Sequence, residues 1–521
     1  MRADSFLNVY RQAEIGYDDI PGSGRGRTRT GTLAVRFVIA LVVGVLAGLA
    51  IMLQVKGWGT LASEAGGACG SSDQGVSYGA CPRGIAPALV TSFLIGIPAV
   101  PAALVLLFRK GWARRVFLAV GIAGGLFAGQ SLFAIWHGTD LTVAWVAPSD
   151  SSPELTTVGA WTSGDSLIRV RVDEAVSYDA ATGRQQWALQ MPGVDVACGV
   201  SGTSSGAALG LIEYGQDSTD CGNVMAVDLR TGRRIWSDPV KNPYTGNSPT
   251  GALAVASGTA IVLTDDGIAG VNGQDGVQKW TLAPPAGCSF QQLAASAASA
   301  VAMAACNASY YVVAIDATTG KAAWRYHVKE PSDSYQFQIL SVNPVVTDDD
   351  LTGPRGTSKV RVFGPDGAVT SSFSVSGIPL HGGTVALNTG STQGFGAPAA
   401  VAGGMLVGVT EIHGGGDALV GYRLADGKRQ WLTDTPDEVH DVTLSGGNLV
   451  FVDESDPAYS LEEVGIATGT VRSLGYFTQG VLQTDQSGLL AAGRDYLIVN
   501  QNGDSTSQPP VAAIKAPATQ G

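Results

Sequence analysis

Five stretches decide the fold: AVSYDAATGRQQW (175–187), VMAVDLRTGRRIW (224–236), GIAGVNGQDGVQKW (267–280), YVVAIDATTGKAAW (311–324) and LVGYRLADGKRQW (419–431). In each, a short apolar run ends at one column, Gly follows four residues later, and Trp four after that. The columns hold Asp179, Asp228, Asn272, Asp316 and Arg423, then Gly183, Gly232, Gly276, Gly320 and Gly427, then Trp187, Trp236, Trp280, Trp324 and Trp431. A weaker copy, LEEVGIATGTVRSL (461–474), keeps Gly469 but has Ser473 where Trp should stand, and VRVFGPDGAVTSSF (360–373) is more degraded, with a shortened turn.

The unit has a physical logic. A β-rich stretch runs into a turn where an Asp or Asn side chain can accept hydrogen bonds from backbone N–H groups two residues on. Gly then takes up a positive φ, and the next strand begins near Trp. One hairpin cannot bury that ring, whereas a neighbouring copy can, so the unit has to repeat. The Trp intervals of 49, 44 and 44 residues, then 107 across the degraded copy, suit a four-stranded propeller blade.

Downstream, the Gly469 copy is followed by strands expected around Gly480–Gln483 and Tyr496–Asn500, which leaves the last blade one strand short. Leu141–Val146 (LTVAWV) is expected to complete it, with Trp145 in the Trp column, and pairing the two ends of the domain would remove exposed sheet edges. The expected fold is an all-β propeller of eight four-stranded blades, with seven as the alternative, over 138–505. Residues 506–521 are expected to be a disordered tail.

Composition divides the chain. The 521 residues include 70 Gly, only 15 % are charged, and the net charge is −12. Residues 1–137 carry +6 and the remainder −18. The acidic balance excludes nucleic acid as the main partner. Phe37–Val55, Ile85–Phe108 and Val116–Trp136 are uncharged stretches long enough to cross a bilayer as helices. The first follows a polar leader and precedes two more spans, which disfavours a cleavable signal peptide. The leader 1–36 reads as a disordered basic tail near anionic lipid, and its Gly22, Gly24 and Gly26 follow no strand, so they make no dinucleotide loop.

Arg2, Arg11, Arg25, Arg27, Arg29 and Arg36 precede the first span, and Arg109, Lys110, Arg114 and Arg115 link the second to the third. Both groups are expected in the cytoplasm, which puts loop 56–84 and everything after Trp136 outside. All six cysteines, Cys69, Cys81, Cys198, Cys221, Cys288 and Cys306, then lie on the oxidising side, as structural disulfides require. Sequential pairing closes three short loops, although six cysteines allow about 15 connectivities, and the spacing is poor for zinc. Gly44 and Gly48 in the first span and Gly121, Gly125 and Gly129 in the third allow close helix approach, read as packing among the chain's own helices in preference to dimerisation. Pro98 and Pro101 are expected to kink the second span. No span holds an ionisable residue, so the spans read as an anchor rather than a transport path.

The succession Asp179/Thr182/Gly183/Trp187, Asp228/Thr231/Gly232/Trp236 and Asp316/Thr319/Gly320/Trp324 resembles the repeat of pyrroloquinoline-quinone (PQQ)-like β-propellers over about 365 residues. That family includes quinoprotein alcohol dehydrogenases and non-enzymatic scaffolds such as the lipoprotein of the outer-membrane barrel-assembly machinery. The resemblance implies the fold and leaves the function open. Quinoprotein dehydrogenases are expected to show an adjacent Cys-Cys pair over the cofactor, a calcium site and an Asp base, and no adjacent cysteines occur here.

Other signals are weak. Gly202-Thr203-Ser204-Ser205-Gly206 matches the hydrolase G-x-S-x-G pattern without the strand–turn–helix setting. His137, His327, His381, His413 and His440 are scattered, and Asp348-Asp349-Asp350 reads as a solvated turn. Asn307-Ala308-Ser309 fits a glycosylation acceptor, and the unmatched stretch Gly377–Gly404 reads as a linker that is also the best place for a partner contact. The expectation is a multi-pass protein of the plasma membrane, N-terminus inside and propeller outside, that binds the lipid bilayer and an envelope protein or small exported ligand. No catalytic, cofactor or metal site is expected. The alternatives are a membrane-bound quinoprotein oxidoreductase using PQQ and Ca²⁺, and a sensor acting through a separate signalling partner.

Overall fold

The computed structural model describes residues 29–64, 70–71, 77–78, 84–152, 155–202, 208–216, 221–238, 252–307, 309–328, 337–351, 357–376, 399–411, 417–435, 438–455, 458–478, 481–482, 487–493, 495–501 and 508–516. It divides into a helical unit and a β unit.

Three helices make up the first: α1 (Arg29–Glu64), α2 (Ile85–Phe108) and α3 (Trp112–His137). All three are long and apolar enough to cross a membrane. Helix α1 starts at Arg29, inside the leader expected to be disordered over 1–36. Its polar first turns extend an apolar stretch of good helix formers, which a search for uncharged runs cannot register. Helix α2 runs on through Pro98 and Pro101 as one element.

The glycine stripes meet each other. A Cβ built on Gly44 would come within 3.0 Å of Gly121 Cα, and one on Gly129 within 2.8 Å of Met52 Cβ; Gly48 and Gly125 likewise face backbone atoms of Ile122 and Val45. The seam therefore lies between α1 and α3 of one chain, which is the intramolecular packing that the small-residue spacing favours. Ser92 Oγ of α2 sits 2.8 Å from Gln54 Oε1 of α1, adding a polar pin to the second helix pair.

The second unit is a ring of eight four-stranded antiparallel sheets. Blades one to seven each use four consecutive strands, beginning at Thr157–Ser163, Val196–Val200, Leu253–Ala256, Cys288–Ala295, Phe337–Val342, Ala399–Ala402 and Glu438–Ser445. Blade eight draws on both ends of the domain. Ser487–Ala492, Asp495–Asn500 and Val511–Lys515 pair in order, and Val143–Val146 adds the outermost strand against Val511–Lys515. LTVAWV thus completes the last blade as expected, but two neighbouring expectations differ. Val481 and Leu482 of the expected strand Gly480–Gln483 are not in a strand, and Val511–Lys515 falls within the segment expected to be a tail. That strand is an Ala/Val/Ile run among Pro509-Pro510 and polar residues, buried from Val511 to Ile514 by its neighbours rather than marked by any motif.

Successive blades bury apolar clusters between them. Leu497, Val499 and Ala513 of blade eight meet Ala160, Leu167 and Val176 of blade one, so the junction that closes the ring is packed like the others. Each fully buried Val, Leu or Ile contributes roughly 1.5–3 kcal/mol. The meander places the first-to-second and third-to-fourth strand turns at one end of the ring. All other connections leave from the opposite end.

Candidate functional site

At the turn end, the motif residues bind one another. Asp179 Oδ1 accepts hydrogen bonds from Thr182 N (2.9 Å) and Thr182 Oγ1 (2.7 Å), and Asp316 Oδ1 accepts from Thr318 N, Thr319 N and Thr319 Oγ1 at 2.8–3.0 Å. Asp228 and Asn272 each receive the N–H two residues on. These bonds favour the ionised form and hold Asp179 and Asp316 below the usual carboxylate range, the Thr182 hydroxyl acting chiefly on the first and the Thr319 N–H on the second. Arg423, in the same column, instead donates to Asp426, whose carboxyl falls to about 2. Gly183, Gly232, Gly276, Gly320, Gly427 and Gly469 all have φ between 65° and 75°, where a Cβ would be strained.

Each turn glycine also supports an aromatic ring from the preceding blade. Trp145 lies on Gly183, Trp187 on Gly232, Trp236 on Gly276, Trp280 on Gly320, Trp324 on Gly367, Phe373 on Gly427 and Trp431 on Gly469. Four of the indoles also donate across the junction, Trp145 to Ala180 O (2.8 Å), Trp236 to Gly273 O (3.2 Å), Trp280 to Ala317 O (3.2 Å) and Trp431 to Ile466 O (2.9 Å). The degraded copies now have reasons. Phe373 keeps the packing of the Trp column and gives up its donor. Blade eight takes its third and fourth strands from opposite chain ends, so no Asp–Gly turn exists there to receive a ring from blade seven, and Ser473 needs no Trp. Tyr476 takes over that junction: its ring covers Gly138 (φ 82°), its N–H donates to Thr139 O (2.8 Å), and its carbonyl accepts Leu141 N.

The opposite end gathers polar and covalent features that the motif does not predict. Cys198, at a bulge in the first strand of blade two, is bonded to Cys221, and Cys288 is bonded to Cys306 directly across the first two strands of blade four. Cys69 and Cys81 lie outside the described residues. Just before blade one, Asp150 takes a bidentate pair of bonds from Arg169 and a third from Arg171, which also reaches Asp173 and Glu174. Burial alone would lower the Arg171 pKa, but its bonds to Asp173 and Asp150 outweigh this and raise it. Arg169 Nε also donates to Thr157 Oγ1, which donates to Asn500 O (2.8 Å), so one buried chain of polar groups crosses the closure between blades one and eight. The sequence signal was a pair of Arg residues, Arg169 and Arg171, in the otherwise apolar run SLIRVR (166–171), which carried no spacing motif.

Glu213 lies in the second strand of blade two, 5 % exposed, and burial pushes its carboxyl up to about 7. Its neighbour Tyr214 donates its phenol to Asp238 (3.1 Å). Burial, then the Asp238 charge and hydrogen bond, raise that hydroxyl to about 12.

The remaining candidates disperse. His137 stacks on Phe133 in α3, whereas His327 stacks on Tyr311 (4.4 Å) and shares a 2.9 Å hydrogen bond with Ser309. His440 lies in the first strand of blade seven, and His381 and His413 are outside the described residues. Thr203–Gly206 of the G-x-S-x-G match is also outside them, as is 377–398 of the unmatched stretch. Asp348-Asp349-Asp350 corrects an expectation: all three lie within the strand Val345–Leu351, laddered to Thr357–Phe363, and Asp348 is fully buried. Among the described residues, no three His, Cys, Asp or Glu side chains are grouped to hold a metal.

The family model described as outer membrane protein assembly factor BamB matches residues 158–264 and 246–353. No curated protein matches the chain. Similar solved structures include the Dos1 propeller (11 % identity, 72 % of this chain and 95 % of that one, TM-score 0.43) and Sqt1 of Saccharomyces cerevisiae (12 %, 73 % and 100 %, 0.42). A chain of the mitotic checkpoint complex is a third (11 %, 72 % and 90 %, 0.36). The chain therefore carries a match to this repeat family over residues 158–353, within a β-propeller of eight four-stranded blades preceded by three long apolar helices.

Proposed function

We propose that the chain is a membrane-anchored binding or scaffold module, its propeller on the outer face of the plasma membrane and its partner an envelope protein or a small exported ligand. The observation that carries this reading is that the repeated motif residues are consumed in holding blade to blade: the Asp side chains cap their own turns, and the rings pack on the next blade's glycine. What remains variable is the end from which the longer connections leave, and on a rigid scaffold such connections are where binding residues concentrate. The +6 and −18 halves and the disulfides Cys198–Cys221 and Cys288–Cys306 favour the outward orientation.

A quinone cofactor finds little support in the residues present. Its vicinal cysteine bridge has no counterpart among the described residues, where the four cysteines form two bridges in two different blades, each between residues far apart in sequence. The test is photo-crosslinking of the full chain in intact cells from positions on the long-connection end, read by mass spectrometry against the same probes on the turn end. One protein captured reproducibly from the first set alone supports the reading. Micromolar PQQ binding by the full chain in nanodiscs with Ca²⁺, accompanied by dye-linked alcohol oxidation, would replace it.

A further inference from the structure

The end of the helical unit that holds the turn between α2 and α3 concentrates positive charge. Arg109 and Lys110 close α2, and Arg114 and Arg115 open α3. The ring of Phe37 stacks on that of Phe117 at 5.0 Å, which sets the start of the apolar part of α1 level with this turn and brings exposed Arg36 to the same end. Residues 82–137 contain no Asp or Glu. None of these five cations has an acidic partner among the described residues. Arg115 Nε donates to Leu107 O (3.0 Å), folding the turn, and its two terminal nitrogens are left for another acceptor.

The apolar surroundings fix the depth of the cluster. Phe108 is 78 % exposed and Trp112 80 % exposed, one on each side of Lys110. Large rings beside exposed cations are the composition of a membrane interface, with rings at headgroup depth and guanidinium groups in the phosphate layer. Trp58 and Trp136 stand toward the other ends of α1 and α3. Trp136 follows Trp112 by 24 positions, a rise of about 36 Å, close to the thickness of a hydrocarbon core plus part of its interface. Arg fits phosphate oxygens with two parallel N–H donors, and Lys adds a point charge.

We infer that Arg36, Arg109, Lys110, Arg114 and Arg115 form a binding site for the phosphate headgroups of anionic phospholipid in the leaflet around the α2–α3 turn. This rests on the reading of the helices as membrane spans. Each cation near such a surface contributes about 1 kcal/mol, so each one removed should weaken the preference for anionic lipid about fivefold.

The test uses the full chain in nanodiscs of equal parts phosphatidylcholine and phosphatidylglycerol, with the lipids retained after mild detergent release counted by native mass spectrometry. The wild type should keep phosphatidylglycerol in excess over phosphatidylcholine. R109Q/K110Q/R114Q/R115Q should lose the excess, and K56Q, toward the other end of α1, should keep it. Free inorganic phosphate at millimolar concentration should not displace the lipid; displacement would reassign the site to soluble phosphate and overturn the inference. Equal retention of both lipids by the wild type, or an excess that survives the fourfold substitution, would also overturn it. Co-flotation with vesicles of phosphatidylcholine alone checks the underlying reading: a chain that floats but shows no preference refutes the lipid site only, whereas one that fails to float refutes the spans.

Discussion

Asp150 holds Arg169 by two hydrogen bonds of 2.9 and 2.8 Å, with 2 % of the first side chain and 1 % of the second exposed. Asp150 belongs to the segment joining the outermost strand of blade eight to blade one, so this ion pair is a clasp on the ring's only discontinuous blade. Removing one member of a buried pair leaves a charge without compensation, and D150A should cost about 3–5 kcal/mol in the denaturation midpoint. Replacing both with apolar residues, as in D150L/R169M, should recover most of that loss. If D150A leaves the midpoint within about 0.5 kcal/mol of wild type, the clasp does not hold the closure.

The contact of Trp187 on Gly232 gives a second prediction. Gly232 has φ 68°, and a Cβ there would lie 2.5 Å from the indole, so G232A suffers both backbone strain and a collision. A cost of about 2–4 kcal/mol is expected, of which roughly 1 kcal/mol is the left-handed backbone alone. In the W187A background the collision disappears and only the backbone part should remain. A double-mutant cycle with no coupling would show that the ring does not rest on the glycine.

How legible the fold was follows from the same contact. Gly183, Gly232 and Gly320 could be read as turn residues, and Trp187, Trp236 and Trp280 as rings needing a neighbour, because the backbone demand and the burial demand recur at fixed spacing. The strand Val511–Lys515 was not legible: it lies between Asp495–Asn500 and the distant Val143–Val146 and carries neither the Asp–Gly turn nor the Trp of the repeat. Asp150 and Arg169 were missed for a related reason: ion pairing across a closure has no local period. Asp348 misled because three consecutive charged residues are ordinarily solvated, while the ladder to Val360 places it in a buried strand. The long-connection end, the proposed binding face, was not marked by any motif; that these loops share an end follows only from the meander.

The bridge between Cys198 and Cys221 spans 23 residues, and closing a loop of that size in the unfolded chain is worth about 3 kcal/mol. C198S/C221S should lower the denaturation midpoint by about that amount, and wild type measured under reducing conditions should fall further, because the Cys288–Cys306 bridge is then broken as well. A reductant that does not shift the wild type would mean that the bridge is absent. The same thiols report orientation: after reduction, a membrane-impermeant maleimide added to intact cells should label Cys198 and Cys221 if the propeller is outside.

Glu213 is buried, and desolvation raises its pKa from 4.5 to about 7. The folded chain therefore holds this proton more tightly than the unfolded one, and between these two values folding takes up a proton. The stability that protonated Glu213 preserves is complete below about pH 4.5 and is lost as pH rises through about 7, amounting to about 3 kcal/mol. Gln at this position is neutral at every pH, so E213Q and wild type should have similar midpoints near pH 4, and the variant should be the more stable of the two at pH 8. The diagnostic quantity is the difference between their midpoints as a function of pH. A difference that does not change between pH 4 and 8 would mean that Glu213 titrates normally and reaches water or a cation in solution.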